Sequence, residues 1–273
     1  MPPLGSRQQA PALPLSPVIP LPDRKTHCAS CNVRESCFPV GLDADAVRQL
    51  DAVVHSRIRV RRRDTLYRPG EPFASLYAVR LGTLKTVLLA EDGREQITGY
   101  HVTGDVIGLD AIGDGRHSCQ VIALEDSEVC SLHFGQFNDL AHRVPRLQHN
   151  LYRLIAKDIC RAQDMMFMLG STRAEERLVL FLLNLAQRYH ARGYSSSEFL
   201  LRMTREETAS YLGLKLETVS RQFSRLQEIG LLQIQGRMIK LLDPHALKQL
   251  VARHACGTTD GPAPGPGAAA TGA

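Results

Sequence analysis

The chain has 273 residues, of which 44% are hydrophobic, and its 33 basic and 28 acidic residues give a formal net charge of +5. This length allows two modest domains, and the mildly basic balance is compatible with nucleic acid without requiring it. No stretch is apolar over the length that spans a membrane, and the proline-rich start, 1–22, lacks the apolar core of a signal peptide. We therefore expect a cytoplasmic protein with no membrane partner, whose seven cysteines are thiols or ligands and not structural disulfides.

The first motif along the chain is a group of three cysteines. Cys28, Cys31 and Cys37 lie at the spacing C-x2-C-x5-C, which brings three thiolates into one short loop. Thiolates are soft ligands that suit iron–sulfur clusters, zinc or Cu(I). A four-thiolate site needs one more cysteine, and the residues alone do not decide among four candidates: Cys119, Cys130, Cys160 and Cys256. For zinc, His27 is a further candidate ligand.

From about Ile58 to Phe134 the chain predicts an all-β roll or barrel. Short runs of β-type residues, such as 76–79 and 84–88, are separated by glycine turns. The run 57–63 is rich in arginine, and its alternation with apolar residues is interpreted as a solvated strand edge.

The hydrophobic period changes at Pro145. From there to about Leu169 the chain contains no further glycine or proline, and apolar residues recur at alternating spacings of three and four. This heptad-like seam predicts a long helix that dimerises with a second copy, through Tyr152, Ile155, Ile159, Ala162, Met166 and Leu169. The seam alone leaves packing of the helix on its own domain as an equal alternative. A second apolar stripe is expected to grip the roll, through Leu151, Leu154, Met165 and Met168.

The carboxyl-terminal part of the chain predicts a winged helix-turn-helix. A capping box at Thr204 starts a helix that ends at Gly213, and a second helix follows from Glu217 to about Ile229. Two β-type runs then flank a glycine turn at Gly236, which is typical of the wing hairpin.

The second of these helices carries side chains suited to reading DNA. Glu217, Ser220 and Arg221 share one face at its amino-terminal end, which enters the major groove in helix-turn-helix proteins. Arginine can donate twice to guanine, glutamate can accept from cytosine, and serine can contact base or phosphate. Four residues are placed to meet phosphates: Thr204, Lys215, Thr218 and Arg225. An ordinary Glu217–Arg221 pair on a solvated face is the alternative, but the surrounding helix-turn-helix and wing favour DNA contact.

Together these features resemble the CRP/FNR superfamily of bacterial regulators, and within it the FNR (fumarate and nitrate reduction) branch. The resemblance covers about residues 28–255, and it is carried by GDVIGLDAIG at 104–113, QDM at 163–165, AEERL at 174–178, MTR at 203–205 and YLGLKLETVSR at 211–221. It implies an α+β fold with an amino-terminal, cyclic-nucleotide-binding-like β-roll, a long dimerisation helix and a carboxyl-terminal winged helix-turn-helix. The expected division is a disordered Pro-rich tail at 1–27, a cluster-binding sensor roll at 28–142, the dimerisation helix at 143–170, the DNA-binding domain at 171–255 and a disordered tail at 256–273.

The resemblance also implies a ligand set. FNR-type proteins hold a [4Fe–4S] cluster with three amino-terminal cysteines at this spacing and a fourth inside the roll. The segment 124–130 is similar to the one that carries the fourth ligand, whereas Cys119 matches no ligand position. The set implied by the resemblance is therefore Cys28, Cys31, Cys37 and Cys130.

The function implied by the resemblance is oxygen-responsive transcription regulation, not enzymatic catalysis. In the FNR branch the recognition helix reads a TTGAT-type half-site with Glu, Ser and Arg, which map onto Glu217, Ser220 and Arg221. The intact cluster favours the homodimer when oxygen is low, and the dimer binds palindromic promoter DNA and works with RNA polymerase.

Three rival hypotheses keep the same fold. Zinc is satisfied by the same four thiolates, and the three amino-terminal cysteines could instead form disulfides under oxidant. A cyclic nucleotide is the third. In the CRP branch a Gly-Glu pair and an Arg-Ser pair hold that ligand, whereas the corresponding places here are Gly108-Leu109 and His117-Ser118. The carboxylate is therefore missing and the arginine is replaced.

Overall fold

The structure, a computed structural model, describes residues 19–20 and 28–251. The two predicted tails lie outside these ranges, except that Ile19–Pro20 form a short strand paired with Arg59 and Ile58. Within the described part of the chain, no helix has the length and apolar character needed to cross a membrane.

The first half of the chain is a β-roll preceded by a helix. Two antiparallel sheets have the strand orders β1-β2-β9-β4-β7 and β3-β8-β5-β6. The elements are β1 (Ile19–Pro20), α1 (Ala44–Val53), β2 (Val54–Val60), β3 (Thr65–Tyr67), β4 (Ser75–Leu81), β5 (Thr83–Leu89), β6 (Glu95–Val102), β7 (Val106–Ile107), β8 (Gln120–Ala123) and β9 (Ser127–His133).

The strands form where β-branched and apolar residues recur between glycine turns. Gly82 joins β4 to β5 with φ +89°, and a Cβ atom there would lie 2.3 Å from Ser127 Oγ. Only glycine tolerates both the left-handed backbone and this close approach. Side chains from both sheets meet in a buried core inside the roll, which includes Val79, Leu84 and Val129.

The basic run at 57–63 differs from its predicted role. Strand β2 pairs with β1 on one side and with β9 on the other, so it does not lie at the edge of its sheet. The side chain of Arg57 is only 15% exposed, and its Nε lies 3.5 Å from Glu128 Oε1. The interpretation as a solvated strand edge was therefore wrong for Arg57, because the strand pairing that covers it is not visible in local sequence.

Two helices follow the roll, α2 (Phe134–Arg143) and α3 (Pro145–Ser171). Proline suits the first turn of α3 because its missing N–H would have no partner within the helix there. Leu151 and Leu154 are buried against the roll and α2, as the second stripe predicts, and Leu147, which was not part of that stripe, is buried beside them. Met165 and Met168 belong to a second cluster, which joins Val87, Ile97 and Tyr100 of the roll to the core of the following domain. This half of the stripe therefore lies where the roll and the following domain meet.

The predicted dimer seam is partly exposed. The exposed fractions of Tyr152, Ile159 and Met166 are 58%, 53% and 65%. Ile155, by contrast, packs against the cluster between the outer face of the roll and the helices, and Leu169 lies against Gly213. The same seam therefore contributes both to intramolecular packing and to an apolar surface.

The last domain is a winged helix-turn-helix, which confirms the predicted fold class. Its elements are α4 (Ala174–His190), β10 (Glu198–Leu200), α5 (Arg205–Leu212), α6 (Leu216–Glu228), β11 (Leu232–Gln235), β12 (Met238–Leu241) and α7 (Pro244–Leu250). Thr204 and Glu207 form the predicted capping box, and Gly213 ends α5 in the left-handed conformation. Strand β10, which pairs with β12 as a third strand, was not predicted, because a three-residue strand shows no alternation in the sequence.

The roll and the winged domain meet around a buried carboxylate, Asp105, which is 4% exposed. It accepts from Arg161 of α3 at 2.9 Å, from Arg192 at 2.8 Å and from Arg188 of α4. Burial alone would raise the pKa of Asp105, but the three guanidinium groups outweigh burial and hold its pKa well below the usual range. We call these four residues the Asp105 junction.

Candidate functional site

Four cysteine side chains line one small cavity between the amino-terminal loop and the roll. Cys28 begins a short 3-10 turn, and Cys31 and Cys37 flank a second one at Arg34–Ser36. Cys130 comes from β9, opposite Arg57 of β2 and Ala78 of β4. The loop folds back in this way because successive tight turns follow Cys28 and Cys31.

Cys130 lies on the outer face of its sheet and not inside the roll. Val129 packs in the roll interior, whereas Cys130 packs with Phe38 and Leu50 beneath the helices. The alternation of side chains along β9 places these two neighbours on opposite faces. Cys119 belongs to the roll interior, where its Sγ lies 3.4 Å from Asp110.

The structure therefore brings together all four residues of the implied ligand set. Cys160 lies on α3 and is half-buried, while His27 and Cys256 lie outside the described residues. Among the described residues, no three His, Cys, Asp or Glu side chains are placed around a single metal-ion position.

The thiols in this cavity are shielded from water. Burial, with a smaller contribution from the charges of neighbouring cysteines, raises the pKa of Cys37 to about 12 and that of Cys130 to about 11. Burial, followed by the Asp51 carboxylate, raises the pKa of Cys28 well above its ordinary value. Raised pKa values favour the protonated form of these three thiols when no cation is bound, so binding of a metal to them releases protons.

Two arginines line the same cavity and have spare donors. Arg34 donates from Nη1 to Ala29 O at 3.4 Å, and Arg80 donates from Nη1 to Glu128 Oε1 at 2.9 Å. The Nε of each is buried and makes no hydrogen bond in the structure, although Arg34 Nε lies 3.3 Å from Glu35 Oε1. Each guanidinium also faces a carboxylate, but the Nε donors without a hydrogen-bond partner fit a group whose thiolate ligands give it net negative charge, as in an iron–sulfur cluster.

The proposed base-reading side chains are exposed on one face of α6. Glu217, Ser220 and Arg221 point away from the domain core, because Val219 and Phe223 on the opposite face are fully buried. This amphipathic pattern holds the helix on its domain and leaves its amino-terminal end available to a DNA groove.

The four proposed phosphate contacts differ in availability. Lys215 is exposed, and Thr218 is half-buried. Thr204 Oγ1 already accepts from Glu207 N at 3.1 Å, and Arg225 Nε lies 3.2 Å from Glu175 Oε1. Their contacts with phosphate stay a prediction, and for the last two residues phosphate must compete with or share an existing partner.

His117 and Ser118, which stand where the Arg-Ser pair of the CRP branch holds a cyclic nucleotide, contact other side chains of the roll. Asp110 Oδ2 accepts from Ser118 N at 2.9 Å and from Ser118 Oγ at 3.2 Å, and Tyr67 OH lies 3.3 Å from Asp110 Oδ1. The ring of His117 stacks on Tyr67 with centroids 3.6 Å apart. The roles of Tyr67 and Asp110 were missed from the sequence, because only the fold brings them together.

Comparisons with known proteins agree with this architecture. A family model described as a Crp-like helix-turn-helix domain matches residues 176–250, and one described as a cyclic nucleotide-binding domain matches residues 57–144. The chain is 45% identical over 238 residues to the transcriptional regulatory protein btr of Bordetella pertussis, covering 87% of this chain and 98% of that protein. This chain belongs to the CRP/FNR family of DNA-binding transcription regulators.

Two further relatives are similar to this chain, one in sequence and one in solved structure. The fumarate and nitrate reduction regulatory protein of Escherichia coli K12 is 41% identical over 224 residues, covering 82% of this chain and 90% of that protein. The solved structure of FixK2 from Bradyrhizobium japonicum has a TM-score of 0.67 and 32% identity, and it covers 73% of this CRP/FNR chain and 98% of that one. The predicted CRP/FNR resemblance is thus confirmed.

Proposed function

We propose that this CRP/FNR regulator is an oxygen-responsive protein of the cytoplasm that holds a [4Fe–4S] cluster with Cys28, Cys31, Cys37 and Cys130. The observation that carries the proposal is the shared cavity, in which three cysteines of the loop meet a fourth from β9. When bound, the cluster supplies a chemistry that is sensitive to oxygen.

The chain's own residues give this site its properties. The four cysteines tie the amino-terminal loop to the roll, so the state of the site affects both segments. Phe38, Leu50 and Leu132 line the cavity and exclude water. Arg34 and Arg80 place positive charge beside the thiolates, which lowers the free energy of an anionic group in that position.

The proposed output is binding of promoter DNA by a dimer. The exposed part of the α3 seam joins two copies, and each copy presents Glu217, Ser220 and Arg221 to half of a TTGAT-type palindrome. Two recognition helices must lie one DNA turn apart to read such a site. Loss of the dimer would therefore remove most of the specific affinity, and RNA polymerase is the proposed partner of the DNA-bound form.

The test is anaerobic purification followed by a visible spectrum and by iron and sulfide analysis, before and after air is admitted. A broad visible band, about four irons per chain and bleaching in air support the proposal. A colourless protein that carries zinc and is unchanged by air overturns the sensing proposal and favours a zinc site. A metal-free protein whose amino-terminal cysteines form disulfides in air favours the thiol switch.

A further inference from the structure

A buried asparagine joins the dimerisation helix to the cysteine loop. Asn150 on α3 is 1% exposed. Its Nδ2 donates to Phe38 O and to Val40 O, at 2.8 Å each. A carboxamide group has two N–H donors, so both are used on the backbone of one distant segment.

The two carbonyl groups belong to the chain that leaves the cysteine site. Phe38 directly follows Cys37, and its ring packs on Phe137 with centroids 4.7 Å apart. Gly41 has φ +66°, and a Cβ atom there would lie 2.9 Å from the Arg146 guanidinium of α3. The segment 37–42 is therefore held on one side by the thiol cavity and on the other by the first turns of α3.

The same helix carries the proposed dimer seam on its other face. Tyr152 lies two residues beyond Asn150 and is 58% exposed, and Ile159 lies further along and is 53% exposed. Nine residues correspond to about 14 Å along an α-helix, and a packed helix moves as a unit over that length. A shift of the Phe38 and Val40 carbonyls would thus be passed through Asn150 to the seam.

We propose that Asn150 is the positioning residue that couples the state of the cysteine site to dimerisation through α3. The inference rests on the proposed function. The competing explanation is that Asn150 only satisfies two buried carbonyl groups, which would stabilise the fold equally whether or not the cysteines hold a group. The two roles differ in one measurable quantity, the ratio of dimer dissociation constants between the metal-free form and the form reconstituted with iron and sulfide.

The test measures both constants by anaerobic sedimentation equilibrium for the full chain and for Asn150→Asp. Aspartate has nearly the same shape but its carboxylate cannot donate to the carbonyls. Allosteric coupling is typically about 5- to 150-fold, and we expect a wild-type ratio in that range and a variant ratio within about 2-fold of unity. Iron content per chain should stay at the wild-type value. The matched control is Asn138→Asp on α2, a half-buried asparagine that contacts His142 of the same helix, which should keep the wild-type ratio.

A variant that weakens both dimers by the same factor, so that the ratio is preserved, overturns the proposal in favour of the structural role. A wild-type ratio of one shows instead that the proposed function has failed. Hydrogen exchange of the wild-type chain provides a test that needs no variant. We expect removal of iron to lower amide protection in 37–42 and also in 147–155. Loss of protection confined to 37–42 would exclude the coupling role of Asn150.

Discussion

The cysteine site and the Asp105 junction both bury charged or ionisable groups, but they compensate for burial differently. At the junction one carboxylate contacts three arginines, and its pKa is held well below the usual range. At the cysteine site the thiol pKa values are raised, and the Nε donors of Arg34 and Arg80 have no hydrogen-bond partner.

The difference shows two ways to accommodate a buried anion. The junction is balanced by the chain's own residues, so it joins the domains as soon as the chain folds. At the cysteine site the raised pKa values of Cys28, Cys37 and Cys130 favour neutral thiols until a cation replaces their protons. The first arrangement suits a permanent structural contact, and the second suits a site whose occupancy can change.

The largest expected effect is the loss of iron binding when a cysteine of the cavity, but not a cysteine elsewhere, is replaced. Cys130→Ser removes one thiolate of the proposed set, and we expect iron binding after anaerobic reconstitution to be lost. Cys119→Ser is the matched control, because Cys119 lies in the roll interior near Asp110, and it should retain about four irons per chain. Iron and sulfide analysis measures both, and normal loading of Cys130→Ser would refute the assigned ligand set.

The next prediction tests how much the ion pairs of the Asp105 junction stabilise the folded chain. Asp105→Asn leaves three arginines around a neutral side chain, and breaking a buried charge network should lower the free energy of unfolding by about 3–5 kcal/mol. Urea unfolding of the metal-free chain measures the change. Asp92→Asn removes an exposed partner of Arg94, and exposed pairs of this kind contribute little to stability because solvent screens them. Equal effects of the two substitutions would show that the junction adds no special stability.

A smaller effect is the pH dependence of stability that comes from His101, a buried histidine near the Asp105 junction. Burial lowers the pKa of His101 to about 4; the charge of Asp105 opposes this shift, and the charges of Arg161 and Arg188 add to it. Between the unfolded value of about 6.5 and this folded value, the unfolded chain binds more protons, so stability falls as the pH falls. We expect a loss of about 2 kcal/mol between pH 7 and pH 5 from this group.

His101→Gln should remove that part of the pH dependence, because glutamine does not titrate. Urea midpoints at pH 5 and pH 7 measure it. The same loss in the variant as in the wild type would assign the pH dependence to other groups. Asp105 titrates in a separate range, because its depressed pKa keeps its contribution intact until the pH falls below the unfolded value of about 3.9.

The smallest expected effect concerns charge at the cysteine cavity. Arg34→Gln removes a cation that lines the cavity, and loss of groups around metal ligands typically weakens metal retention by about 10-fold or more. The rate at which an iron chelator removes iron under anaerobic conditions tests this. Arg48→Gln on α1, an exposed partner of Asp45, is the control, and identical rates for the two variants would exclude a role for the Arg34 charge.

Local signals in the sequence were sufficient for much of the fold. The capping box at Thr204, the turn at Gly213 and the three-cysteine loop each depend on residues close together in the chain. Cys130 was assigned only through the family resemblance, because the pairing of β9 with β2 and β4 decides which face it occupies.

Long-range polar contacts could not be predicted in this way. Asp105 is separated by 56 residues from Arg161, and Asn150 is separated by 112 from Phe38. Nothing in the local pattern around either residue distinguishes a buried hub from an exposed polar position. Residues of this kind become visible only when the fold places several elements around them, which is why both were missed.

The turn around Asp110 has a consequence for ligands of the roll. Its carboxylate accepts from Ser118 N and Oγ, lies near Tyr67 OH and is part of the same chain. A free anion would compete for these donors with a carboxylate of the same chain, and short flexible linkers give such a group an effective concentration in about the millimolar range. In this regulator a small anion must therefore displace the Asp110 carboxylate before it can bind to these donors.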